Sequence, residues 1–277
     1  MKIKTITEVD YNGYVYNVEV ADNHNYFCNG VLVSNCHENS TKDGLHGDIM
    51  NLEFIDRLHP FTELAIGGGN PLEHPDLISF LEKCKKLKLI PSMTINQTHL
   101  QKNLDFVKHL VDNKLIYGLG ISVMHIDDKF IEQVKQFPNA VLHIIAGLIN
   151  IEDLKKLSGN NFKILILGYK VFRRGADLYK KLSDEIEAKI SILKNNLINI
   201  LDENWFDVVS FDNLAIKQLC VKDILSTKEW NEFYMGDDGA ATMYADLVEK
   251  KFARSSTAVD RYDLMSDIKD MFNVVRV

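Results

Sequence analysis

Several groups of residues in this chain have types and spacings suited to chemistry. The four cysteines are Cys28, Cys36, Cys84 and Cys220, with no close pair among them. That is not a disulfide framework, so they are read as free thiols, metal ligands or nucleophiles. A glycine run, Gly67-Gly68-Gly69-Asn70-Pro71, follows the apolar stretch Leu64-Ala65-Ile66. Glycines at a strand end let a ligand approach the backbone closely. Such a loop can also cradle phosphate, but this one has no GK[ST] and is not GxGxxG. Arg173-Arg174-Gly175 could meet an anionic substrate or form a surface salt-bridge cluster. The acidic turn Asp237-Asp238-Gly239 could hold a metal or be a plain turn.

The elements that must position these groups change character near residue 36. Before it, Lys2 to Ile6, Tyr14 to Val20 and Val31 to Val33 are rich in β-branched and aromatic residues, with tight-turn signals at Asn12-Gly13 and Asn29-Gly30. After about residue 50, strand-like runs (Leu64–Ile66, Ser92–Ile95, Gly118–Val123, Val141–Ile145 and Ile164–Leu167) alternate with helical ones (Pro75–Lys86, Leu104–Asp112, Asp127–Gln136 and Glu152–Leu157). That alternation predicts a parallel α/β sheet or barrel. A mostly helical section is expected later, including Leu178–Asn196 and Met243–Phe252.

Composition narrows the function classes. The chain has 277 residues, 46% hydrophobic and 26% charged, with only 5 prolines, as expected of an ordinary globular protein. A net charge of −7 argues against a general nucleic-acid binder. No apolar run is long enough to span a membrane, and the N-terminus lacks a signal-peptide core, so the expected location is the cytoplasm.

The segment from Val15 to Cys36, with His24-Asn25-Tyr26-Phe27 inside it and Val31-Leu32-Val33-Ser34-Asn35-Cys36 at its end, closely resembles the C-terminal end of an intein. Residues 1–35, starting with Met, look like the free-standing C-half of a split intein of the all-β Hint fold. The resemblance implies that Cys36 attacks an ester delivered by the N-half, a role suited to a thiol. It implies that the Asn35 side-chain amide then attacks its own backbone carbonyl, an intramolecular closure that cuts the Asn35–Cys36 bond. His24 is the matching position for proton transfer. Ser34 stands where the family usually has His, and Asn17 where it usually has Asp, which points to slow or partner-dependent splicing. The splicing itself needs no cofactor.

Residues 36–277 resemble a radical S-adenosylmethionine enzyme, with a barrel core over about 36–175 and an extension over about 176–277. Cys36-His37-Glu38-Asn39 is similar to the last cysteine of the CxxxCxxC loop that holds a [4Fe–4S] cluster. The metal ligand on this chain would be Cys36. The other two cysteines, and barrel strand 1, would come from the N-terminal split-intein partner. Gly67, Gly68, Gly69, Asn70 and Pro71 resemble the GGE-P motif that receives the cofactor amino group, with Asn70 in the position of Glu. Asn96 matches the TxNG motif, with Gln97 in place of its Gly. Ser122, His143, Gly147 and Gly168 fall at the ends of later strands, where such barrels work.

The expected architecture is a small all-β Hint fragment followed by an α/β partial TIM-type (β/α)6 barrel lacking its first strand, with an exposed edge at the strand near Leu64. The expected function is a trans-splicing precursor. Its product would use [4Fe–4S] and S-adenosylmethionine to make a 5′-deoxyadenosyl radical that acts on an unknown substrate. The alternative is an inactive intein remnant on a barrel that binds a small anionic ligand without radical chemistry. Neither a membrane nor a nucleic acid is an expected partner.

Overall fold

The computed structural model describes residues 17–22, 26–28, 31–33, 46–68, 70–171, 174–240, 242–256 and 258–276. The strands are β1 (Asn17–Asp22), β2 (Tyr26–Cys28), β3 (Val31–Val33), β4 (Glu63–Gly67), β5 (Ile90–Asn96), β6 (Gly118–Ser122), β7 (Ala140–Ile145), β8 (Lys163–Leu167), β9 (Val208–Phe211), β10 (Thr242–Asp246), β11 (Lys251–Ala253) and β12 (Tyr262–Asp263). The helices are α1 (Leu77–Lys86), α2 (Gln97–Lys102), α3 (Leu104–Asp112), α4 (Asp128–Val134), α5 (Ile151–Lys155), α6 (Arg174–Asp202), α7 (Asn213–Gln218), α8 (Thr227–Phe233) and α9 (Ile268–Val275).

The main sheet runs β12-β11-β10-β1-β4-β5-β6-β7-β8-β9. From β10 to β9 every neighbouring pair is parallel, and β11 and β12 continue antiparallel. All five strand runs expected after residue 50 are present. They alternate with helices as a βα sheet requires, because parallel neighbours need a crossover.

Two expectations are corrected. The barrel was expected to lack its first strand and to expose an edge at β4. Instead β1 pairs in parallel with β4, Val18 opposite Leu64 and Val20 opposite Ile66, and on its other side with β10. The physical reason is that both edges carry unpaired backbone groups, and the alternating Val18 and Val20 of Asn17–Asp22 suit a strand between them. Asn17–Asp22 is thus a strand of the large sheet, while β2 and β3 form a separate antiparallel hairpin, Phe27 opposite Leu32. The second correction concerns Met243–Phe252, expected to be helical. It folds as β10 and β11, with Tyr244 opposite Ala253. Met243, Ala245 and Leu247 enter the main core at a spacing of two, so strand periodicity prevails over a helical reading of the same apolar residues.

The sheet has two unlike faces. Leu64, Ile66, Met93, Ile95, Leu119, Ile121, Leu142, Ile144, Ile164 and Ile166 join the main core with the helices. Helix α1 shows how: Leu77, Phe80, Leu81 and Cys84 recur at helical spacing and are all buried. Burial pushes the Cys84 thiol up to about 12, so it is a core residue rather than a nucleophile. Lys83, Lys85 and Lys86 occupy the last turn of α1, where positive charge complements the helix dipole. Phe80 is fully buried in this layer. Replacing it with alanine is expected to lower stability by about 3–5 kcal/mol in urea unfolding, with the native circular dichroism retained before the transition.

Candidate functional site

The other face of the sheet is small and polar. Backbone register puts Ala65, Ser92 and Gly118 in one row, Thr94 beside Gly120 in the next, and Asn96, Ser122 and His143 in a third. A small apolar cluster of Val141, Leu165 and Leu167 sits farther along the same face. The third row lies at the C-terminal ends of β5 and β6, where ligands bind in parallel α/β sheets.

At the end of β4, Gly68 has φ 144, a backbone conformation that glycine tolerates and other residues rarely adopt. Asn70 follows in extended conformation and leads into the turn Pro71–Glu73. Its side-chain Oδ1 is buried and has no hydrogen-bond partner among the described residues. A buried acceptor left in this state is costly unless something donates to it. His74 seals the loop from behind: its Nε2 is 2.8 Å from the Gly47 carbonyl oxygen, and its Nδ1 accepts from the Asp76 N–H at 3.1 Å.

At the end of β5, Asn96 caps α2. Its Oδ1 accepts from the Thr98 N–H at 2.8 Å and from the Thr98 hydroxyl at 2.6 Å. Gln97 is fully buried. Its Oε1 accepts from the N–H groups of Met124 at 2.8 Å and His125 at 3.1 Å, tying the loop after β6 to the end of β5. The residue that reads as a departure from TxNG is therefore a strap between two strand ends.

His143 on β7 is 1% exposed, and burial pulls its imidazole down to about 3. The ring lies over Gly120. A Cβ on Gly120 would collide with His143 Cε1 and sit 2.6 Å from Thr94 Oγ1. Gly120 thus makes the room in which His143 and Thr94 approach each other. Ser122 is half-buried in the row above.

Gly147 and Gly168 have packing explanations. Gly147 has φ +85, and a Cβ there would press on Ile186 of α6. Gly168 donates its N–H to Asp212 Oδ1 at 2.9 Å, and a Cβ there would meet Leu214 and, at 2.7 Å, the Ala215 nitrogen of α7. Asp212 also caps α7 by accepting from the Ala215 N–H at 2.6 Å. Burial raises its carboxyl above the usual range despite those two donors. Gln218 pins Tyr169 through both its N–H and its carbonyl, each at 2.8 Å.

A cluster on β10 has no counterpart in the sequence reading. Tyr244 lies in register with Ala65 through β1 and so shares the polar face. Its hydroxyl donates to Asp246 Oδ2 at 3.0 Å. Arg261 lies 3.5 Å from that carboxylate and 3.3 Å from Glu249, with its guanidinium over the Tyr244 ring. The alternation of Tyr244 and Asp246 signals this face only once the segment is read as a strand.

His24, Ser34, Asn35, Cys36 and Gly69 lie outside the described residues, as does Arg173. Asn17 is the first residue of β1. Among the described residues no group of three or more His, Cys, Asp or Glu side chains gathers as a metal site. The acidic turn reads as structural: Asp237 accepts from the Tyr234 hydroxyl at 2.9 Å and Asp238 from Asn213 at 2.8 Å. No helix among the described residues is long and apolar enough to cross a membrane.

Comparison with known proteins places this architecture. The chain is similar to SuiB of Streptococcus suis, with a TM-score of 0.57 to SuiB bound to the precursor peptide SuiA, at 14% identity over 94% of this chain and 64% of SuiB. Against SuiB bound to S-adenosylmethionine the TM-score is 0.51, at 14% identity over 94% of this chain and 63% of SuiB. The chain therefore has the α/β fold of SuiB and spans somewhat under two thirds of it. One curated protein is similar over a shorter stretch: the omega subunit of homocitrate synthase from Clostridium pasteurianum, 30% identical over 114 residues, which is 40% of this chain and 30% of that protein. No family model matches the chain.

The state of His143 gives a pH prediction. Its folded value of about 3 lies below the ordinary histidine value, so the fold holds it neutral. Its stabilising contribution is complete above about pH 6.5 and is lost as pH falls from there toward 3, at up to about 1.4 kcal/mol per pH unit. Between pH 6.5 and 5 the unaltered chain should lose about 2 kcal/mol more than His143→Gln in denaturant titrations. Parallel pH curves for the two would contradict the buried neutral state.

Proposed function

We propose that this chain is a trans-splicing precursor whose ligated product is an S-adenosylmethionine-dependent radical enzyme. The observation that carries the second half is Asn70 Oδ1, a buried acceptor without a partner among the described residues at the glycine-rich end of β4, in a fold shared with a protein crystallised with S-adenosylmethionine. An amide oxygen in that place suits the ammonium group of the cofactor's methionyl end. Gly67 and Gly68 give close backbone approach beside it. Asn96, Ser122 and His143 form the polar row that a ribose or carboxylate would face. When bound together, the cofactor and a [4Fe–4S] cluster supply a carbon-centred radical for hydrogen abstraction. The chain's part is to position the cofactor and substrate, and to provide the Cys36 thiolate as one cluster ligand.

The splicing half rests on the sequence from Val15 to Cys36. The Cys36 thiolate attacks the ester or thioester that the N-half presents, takes over the acyl group as a thioester, and releases the N-half's own hydroxyl or thiol. Asn35 closes onto its own carbonyl and releases residues 1–35 with a terminal succinimide. The thioester then rearranges to a peptide bond at the Cys36 nitrogen. The cluster motif and the removal of the intein are thereby completed together.

The experiment is mass spectrometry of the chain mixed, under reducing conditions, with a split-intein N-half fused to a segment ending in CxxxCxx. The expected result is a ligated product lacking residues 1–35, absent with Asn35→Ala and with Cys36→Ala. An unchanged chain after long incubation would overturn the splicing reading in favour of an inactive remnant.

A further inference from the structure

Strand β1 lies upstream of Asn35, whereas both strands it pairs with, β4 and β10, lie downstream. On the splicing reading, on which this inference rests, residues 1–35 leave the chain. Their departure takes a strand out of the middle of the sheet. It leaves β4 and β10 with facing rows of unpaired N–H and C=O groups, which a stable sheet does not keep. The same departure removes the hairpin. β2 lies beside β4, and β3 lies beside β8 and β9, so this short hairpin bridges strands that are far apart in the sheet order. The sheet must therefore curl around it. Because the helices cover the apolar face, the hairpin is left with the polar face or its strand ends.

We propose that the slot between β4 and β10 is a strand-exchange site. In the precursor β1 holds it as a surrogate. In the spliced protein an extended segment of the N-terminal partner, the one ligated to Cys36, takes its place. The slot selects that occupant by geometry. Two flanking strands, each about 4.8 Å away, admit only another extended chain. A segment joined at Cys36 inherits the covalent position of residues 1–35, and so enters from the same end and runs parallel. Removal of the hairpin in the same event opens the polar face as the new strand arrives. Splicing thus exchanges one strand for another in addition to joining two chains.

The test uses the full chain carrying Val18→Pro and Glu19→Pro. Adjacent residues of a strand direct their N–H groups to opposite neighbours, so this pair removes donors toward both β4 and β10. Residue-resolved hydrogen exchange is then read at the β4 and β10 amides that point at β1, with β6 and β7 amides as the folding control. The expected result is at least about tenfold loss of protection in β4 and β10 only, restored by adding a synthetic peptide of sequence VYNVEVAD, residues 15–22. Unchanged protection in the variant, or no recovery with the peptide, overturns the proposal. If the variant also loses protection in β6 and β7, Glu19→Cys with Ala65→Cys decides. These residues are register partners within disulfide reach, so a crosslink on mild oxidation supports the surrogate strand and its absence refutes it. Neither readout depends on splicing, so a chain that passes these tests yet fails to splice keeps β1 as the occupant of the slot but loses both the splicing reading and the exchange with a ligated segment.

Discussion

A parallel sheet is stable when both of its faces are covered, and here the two faces are unequal. One carries, from β4 to β8, a layer of Leu, Ile and Met that joins the main core with the helices. The other carries Ser92, Thr94, Gly120, Ser122 and His143, residues too small or too polar to hold a helix against it. The rest of the molecule depends on this asymmetry. The apolar face provides the stability, and the polar face gathers groups that donate and accept hydrogen bonds, with Ser92, Thr94 and His143 buried and Ser122 half-buried near the strand ends. The curl of the sheet around its own N-terminal hairpin follows from the same inequality.

The strand ends are fixed by side chains that serve the scaffold. Gln97 ties β5 to the loop after β6, Asp212 and Gln218 tie β8 to α7, and His74 ties the glycine loop to Gly47. These are hydrogen bonds between strand ends and their neighbours, which hold the ends of the polar rows in place. Asn70 Oδ1 has no such tie among the described residues, a state it shares with Ser92 Oγ on the polar face. Buried polar atoms in this state are the places where a hydrogen-bonding ligand gains most.

Much of this was legible in the sequence. The five apolar runs from Leu64 to Leu167 are strands because they are short and separated by longer stretches with helical patterning. The polar face was legible only through the family resemblance, since Ser122 or His143 alone gives no sign of which way it points. Gly168 and Gly147 matched motif positions, yet the structure gives each a packing role that spacing cannot reveal. The expected helix over Met243–Phe252 gives way to β10–β11 because Met243 and Leu247, four apart, fit a helix face as well as Met243, Ala245 and Leu247 fit a strand face, so local spacing does not decide between them. The largest surprise, β1 within the large sheet, could not be read locally. Asn17–Asp22 is a good strand in any setting, and only the two vacant edges of β4 and β10 decide where it pairs.

The most direct measurement is electron paramagnetic resonance of the reduced, iron-reconstituted ligation product, recorded with and without S-adenosylmethionine. The account predicts a [4Fe–4S] signal that changes on adding S-adenosylmethionine, with 5′-deoxyadenosine formed under reducing conditions. A cluster signal indifferent to S-adenosylmethionine, or a ligated product that assembles no cluster, would contradict it.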